Sequence, residues 1–159
     1  MDPLDLISRN PRPKFRRQPL PVAGEQRVLW QIALIVTLLH VAGRSSREGK
    51  KRMSLRKLHV LSWGARSERA CNAVRSRLQS SRSTELPAIR VDPSFSQSID
   101  FACAESLVSC TERHVDLLPK GELMARQVAD VGVLLDERRR ATILRPYCTE
   151  KAVEGLSKT

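Results

Sequence analysis

A chain of 159 residues, 41% of them hydrophobic, is long enough to bury a genuine single-domain core and too apolar for a disordered polyelectrolyte. Only 4% of the residues are aromatic, so that core has to be built from Leu, Val, Ile and Ala. The 28 Lys and Arg against 17 Asp and Glu give a net charge of +11, which favours nucleic acid, an acidic membrane surface or an acidic protein face as partner.

Residues 1–25 hold five of the nine prolines, interleaved with Arg12, Lys14, Arg16 and Arg17, and read as a solvated basic arm. Residues 28–42 are apolar nearly all round, the mark of a helix buried on most sides. Fifteen helical residues rise about 22 Å against a bilayer core of about 30 Å. Gln31, Thr37 and His40 interrupt the run as well, which argues against a membrane span. A central core helix or a subunit interface is expected instead, with Trp30, Leu34 and Leu38 as the interface residues of a homodimer.

Residues 44–51 read as a polar, basic loop between helices. Ser54 is a candidate N-cap, followed by Leu55, Leu58, Leu61 and Ala65 at helical spacing. Ser67 is a second candidate cap, followed by Ala70, Cys71, Val74 and Leu78, so the pair has a helix-turn-helix arrangement turning near Ala65 and Arg66. A polar linker over 80–86 and a short strand over 88–91 come next, the strand stopped by Asp92 and Pro93. Phe95, Ile99, Ala102 and Cys103 mark a helix continuing to Leu107. Residues 107–110 and 114–117 alternate like two strands about a short loop. Leu123, Val128, Val131 and Leu135 mark a further helix that ends in Arg138, Arg139 and Arg140, placed favourably against the helix dipole. A last small helix runs from Thr149 through Val153 to Leu156.

Chemistry is sparse along this chain. There is no P-loop, H-E-x-x-H, G-x-S-x-G or dinucleotide fingerprint, so neither an enzyme nor a cofactor is expected. Ser54 to Lys57 fits S-x-x-K without its companion motifs and reads as a capped helix start. Cys71, Cys103, Cys110 and Cys148 show no C-x-x-C spacing and follow no signal peptide, so buried free thiols in a cytoplasmic protein are expected. Cys103, Cys110 and His114 have metal-ligand chemistry but lack an evident fourth ligand, and no metal is expected.

The order helix, strand, helix, two-stranded wing and closing helix is that of a winged helix-turn-helix domain. Many bacterial winged-helix families carry Glu-Gly-Leu-Val before the wing and Leu-Thr-Pro-Lys-Gly after it. The stretches Ala104-Glu105-Ser106-Leu107-Val108 and Leu117-Leu118-Pro119-Lys120-Gly121 resemble them, with Ser106 in place of Gly and Leu118 in place of the capping Thr. Residues 27–156 also resemble the middle component of bacterial ABC-three-component conflict systems. The resemblance lies in Ser54 to Trp63 with Arg66-Ser67-Glu68, in Arg90-Val91-Asp92-Pro93, in Asp100 to Glu105, and in Thr149 to Val153. It implies a small adaptor working beside an ABC-type ATPase and a separate effector in defence against phage or plasmids.

The positive charge is unevenly placed. Residues 44–82 carry 12 basic and 2 acidic groups, whereas residues 83–159 carry 10 basic and 12 acidic. The helix before the wing has no Arg or Lys between Ser94 and Cys110; Gln97 is its only good base-reading side chain, and Asp100 and Glu105 are acidic. The expected anion-binding residues therefore lie upstream: Arg47, Lys50, Lys51, Arg52, Arg56, Lys57, Arg66 and Arg69. The expectation is a mainly α protein with a small β-wing: an arm over 1–25, a winged-helix domain over 26–145 with extra helices, and a C-terminal helix and tail over 146–159. It would act as a non-catalytic adaptor that binds nucleic acid, if at all, without sequence choice. A stand-alone dimeric DNA-binding regulator is the alternative.

Overall fold

A computed structural model describes residues 24–79 and 92–156, so the arm, the 80–86 linker and the strand expected over 88–91 lie outside the described residues. The described chain is mainly helical with a small antiparallel sheet. Its longest helix, α1 (Gly24–Ala42), is the centre of the molecule. It packs on α2 (Leu55–Ala65), α4 (Pro93–Ala104), α5 (Pro119–Val131) and α6 (Leu135–Leu144). Apolar side chains on every side of α1 therefore find cover within the chain: Leu34, Ile35, Val36, Leu38 and Leu39 are fully buried. No helix among the described residues is long and apolar enough to cross a membrane.

Residues 44–54 are not a simple loop. After Gly43, β1 (Arg44–Ser45) and β2 (Lys51–Ser54) form a hairpin turning at Gly49, whose φ of 77° suits glycine. Ser54 then caps α2, its hydroxyl accepting from the Lys57 N–H at 3.1 Å. Ser67 caps α3 (Glu68–Gln79) by accepting from the Ala70 N–H. Asp92 caps α4 through the Ser94 N–H, with Pro93 in the first turn where its missing N–H costs nothing. The Gln31 amide donates to the Ser94 hydroxyl and accepts from the Ser98 hydroxyl, which ties α4 to α1.

Helix α4 ends at Ala104 rather than running on to Leu107. Ser106 enters the left-handed region at φ 58°, and the Leu107 N–H returns to the Ala102 carbonyl. β3 (Val108–Cys110) and β4 (His114–Leu117) follow as the expected hairpin. The sheet order is β1-β2-β4-β3, all antiparallel, with Met53 facing Val115 on the core side.

The single helix expected through 123–140 is two. Gly132 terminates α5 at φ 78°, and the buried Leu134 also takes a left-handed conformation before α6 begins. Val131 and Leu135 consequently face solvent instead of forming one apolar stripe, while Ala125, with Met124 and Val128, turns to the core. Arg138, Arg139 and Arg140 fall in the middle of α6, not at a helix end. Arg139 and Arg140 meet Glu68 of α3, and the buried Arg140 donates to the Ala65 carbonyl at 2.7 Å. The short α7 (Glu150–Gly155) is capped by Thr149 and packs on α2.

Candidate functional site

The pleat sorts the side chains of the sheet. Met53 and Val115 point into the core, so their neighbours Arg52, Ser54, His114 and Asp116 point outward. Register then lines up Arg44, Arg52, Asp116 and Ser109 in one row across the four strands. Arg52 donates to both carboxylate oxygens of Asp116, Nε at 2.6 Å and Nη2 at 2.9 Å, a bidentate pair on a mostly buried carboxylate. These bonds hold the Asp116 carboxyl below the usual carboxylate range and raise the Arg52 guanidinium.

Two adjoining clefts open on this outer face. The first, of about 540 Å³, is lined by Arg44, Arg47, Glu48, Arg52, His114 and Glu150. The second, of about 590 Å³, continues past His114 and Glu150 to Arg56, Glu112, Arg113 and Glu154 under the β3–β4 turn. Glu150 uses one carboxylate oxygen to accept from the Ser54 N–H at 3.1 Å, and Glu48 pairs with Lys50 at 3.1 Å. The side chains of Arg44 and Arg47 are exposed and make no hydrogen bond or ion pair with the described residues.

The eight basic residues expected to form one surface are divided by this arrangement. Arg47 and Arg52 share the first cleft, Lys50 and Lys51 stand on the same hairpin, and Arg56 lines the second cleft. Lys57 is instead buried: its ammonium donates to the carbonyl of Ala42, the last residue of α1, at 3.2 Å. That contact satisfies a helix C-terminus with a cation, a structural task. Arg66 pairs with Asp92 at 3.0 Å beside His59, and Arg69 is exposed on the first turn of α3; neither lines the two clefts. Arg44 is the residue missed by sequence reasoning. The signal for it was Gly49 midway between two short polar runs, hidden because only Met53 in the hairpin is apolar.

Leu34 and Leu38 cannot form the expected interface, because both are sealed inside the core of this chain. Trp30, near the start of α1, is 38% exposed, and Leu29 beside it is 63% exposed. The cysteines also divide. Cys71 and Cys148 are buried free thiols, and burial pushes the Cys148 thiol up to about 12. Cys103 and Cys110, expected as free thiols too, form a disulfide between the last turn of α4 and the edge strand β3. Among the described residues no group of His, Cys, Asp and Glu is arranged to hold a metal ion.

No family model, curated protein or solved structure matches the chain.

Proposed function

We propose that the protein is a non-catalytic adaptor on a winged helix-turn-helix scaffold, docking through the outer face of its sheet. The order β2-β4-β3, with α2, α3 and α4 between β2 and the final hairpin, is consistent with a winged helix carrying an added edge strand, β1. One observation carries the reading. The β1–β2 hairpin presents Arg44 and Arg47 without internal partners, whereas α4, which would be the DNA reader, contains no cation and exposes Phe101. A neutral helix is a poor reader of base edges, and a basic hairpin grips an anionic surface without sequence choice. The resemblance to the middle component of ABC-three-component systems supplies the class of partner, an ABC-type ATPase and an effector.

Affinity capture of the full chain from the organism that encodes it, followed by mass spectrometry, tests this. Stoichiometric recovery of an ATPase with a second protein is the expected result. Recovery of a free dimer that selects one operator sequence at physiological salt would replace the adaptor with a regulator.

A further inference from the structure

We infer that the first cleft is a phosphate-binding site, in which Arg44 and Arg47 grip a phosphodiester of a nucleic-acid backbone. The inference rests on the reading of the outer sheet face as a binding surface and names its ligand.

Arg44 lies directly opposite Arg52 in the β1–β2 register. Asp116 neutralises Arg52 through both of its oxygens, so the charge left over in this row is that of Arg44. Of the two carboxylates at the rim, Glu48 is paired with Lys50, and Glu150 accepts from the Ser54 N–H and keeps its charge. Two exposed guanidiniums, one from β1 and one from the hairpin turn, therefore line one cleft without a hydrogen bond or ion pair of their own among the described residues.

A single carboxylate is satisfied by one guanidinium fork, as Asp116 is by Arg52. A tetrahedral phosphate offers acceptors in several directions and fits donors arriving from two sides. The first cleft sets Arg44, Arg47 and Arg52 against Glu48 and Glu150, whereas the second sets only Arg56 and Arg113 against Glu112, Glu150 and Glu154 and would repel a polyanion. The nucleic-acid strand therefore crosses the β1–β2 hairpin and avoids the β3–β4 turn. That path differs from the usual one, in which the wing tip meets the backbone.

The test uses the full chain and fluorescence anisotropy on labelled single-stranded and duplex oligonucleotides between about 50 and 200 mM salt. Arg44→Ala with Arg47→Ala is expected to weaken binding at least about tenfold at low salt and to lower the salt slope by about two. Arg113→Ala, at the β3–β4 turn, is expected to leave both unchanged. Circular dichroism checks the fold, and Arg47→Ala alone, in an exposed turn, serves if the double variant unfolds. Unlabelled oligonucleotide should displace the probe far better than polyglutamate of equal charge. The site is refuted by unchanged affinity in a folded double variant, by an equal loss in Arg113→Ala, or by equal displacement by polyglutamate. Saturable inorganic phosphate binding that oligonucleotide fails to compete would overturn the nucleic-acid assignment. Capture of the ATPase by the double variant separates the two readings: retained capture with lost oligonucleotide binding leaves the adaptor standing.

Discussion

Lys57 and Lys51 stand six residues apart in the most basic stretch of the chain, yet burial gives them opposite work. The Lys57 ammonium is enclosed and bonded to the Ala42 carbonyl, so its charge belongs to the end of α1. Lys51 is only partly covered, on the hairpin strand β2. Lys57→Met keeps the volume of the stem but withdraws the donor from a buried carbonyl, and a loss of about 1–3 kcal/mol is expected. Lys51→Met should stay within about 0.5 kcal/mol. Urea unfolding of the two variants checks both figures, and equal effects would show that the Lys57 contact contributes nothing. Oligonucleotide binding should be unchanged in Lys57→Met, because its charge is enclosed. Charge counting alone cannot make this distinction, because it weights every cation alike while burial decides which of them meets solvent.

At the scale of elements, the turn from α4 into β3 is where sequence and geometry conflict. Ser106 sits at the left-handed position that ends α4, where glycine has no Cβ to strain. A non-glycine residue in this region costs about 1–2 kcal/mol, and glycine gives back about 0.5–1 kcal/mol in unfolded-chain entropy. Ser106→Gly is therefore expected to stabilise the protein by about 0.5–1 kcal/mol, read as a higher urea midpoint with an unchanged slope. A lowered midpoint would mean that the exposed Ser106 hydroxyl makes a contact worth more than the strain. Gly121 across the junction is fixed for a different reason: a Cβ there would collide with the Leu107 carbonyl. Caps were the legible part of the fold, while the breaks at Ser106 and Gly132 were not. Ser54, Ser67 and Thr149 each declare a helix start that the backbone realises, whereas Asp92, read as the stop of a strand, proves to be the cap of α4. The β1–β2 hairpin was not legible, since Arg44, Ser45 and Lys51 to Ser54 offer a strand pattern only once β4 supplies the neighbour that buries Met53. The site was half legible for the same reason. Charge placed Arg47 and Arg52 in the right region, but which cations stay unpaired depends on Asp116, 64 residues from Arg52 in the chain.

For the whole molecule, the same partners set how stability depends on pH, and two windows follow. Burial, the largest effect, lowers the pKa of His59 and of His40 below 6.5; Arg138, Arg126 and Lys51 lower His40 further, while Glu122 opposes them and Asp92 opposes the shift at His59. The unfolded chain therefore takes up these protons first as pH falls. Stability is complete above about pH 6.5 and declines below it, until the folded imidazoles are protonated too. The carboxylates act lower. Hydrogen bonding from Arg52 depresses Asp116, and bonding from Ser94, then Arg66, depresses Asp92. Their contribution is present above the ordinary carboxylate value of about 4 and is lost as pH falls through the depressed folded values. The midpoint of thermal unfolding should thus fall in two steps, one beginning near pH 6.5 and one below about pH 4. His59→Gln should flatten the first step and leave the second, whereas Asp116→Asn should lower stability at neutral pH and flatten the second. A single acid transition below pH 4, unchanged by His59→Gln, would mean that the folded chain relaxes to hydrate these imidazoles without loss of stability.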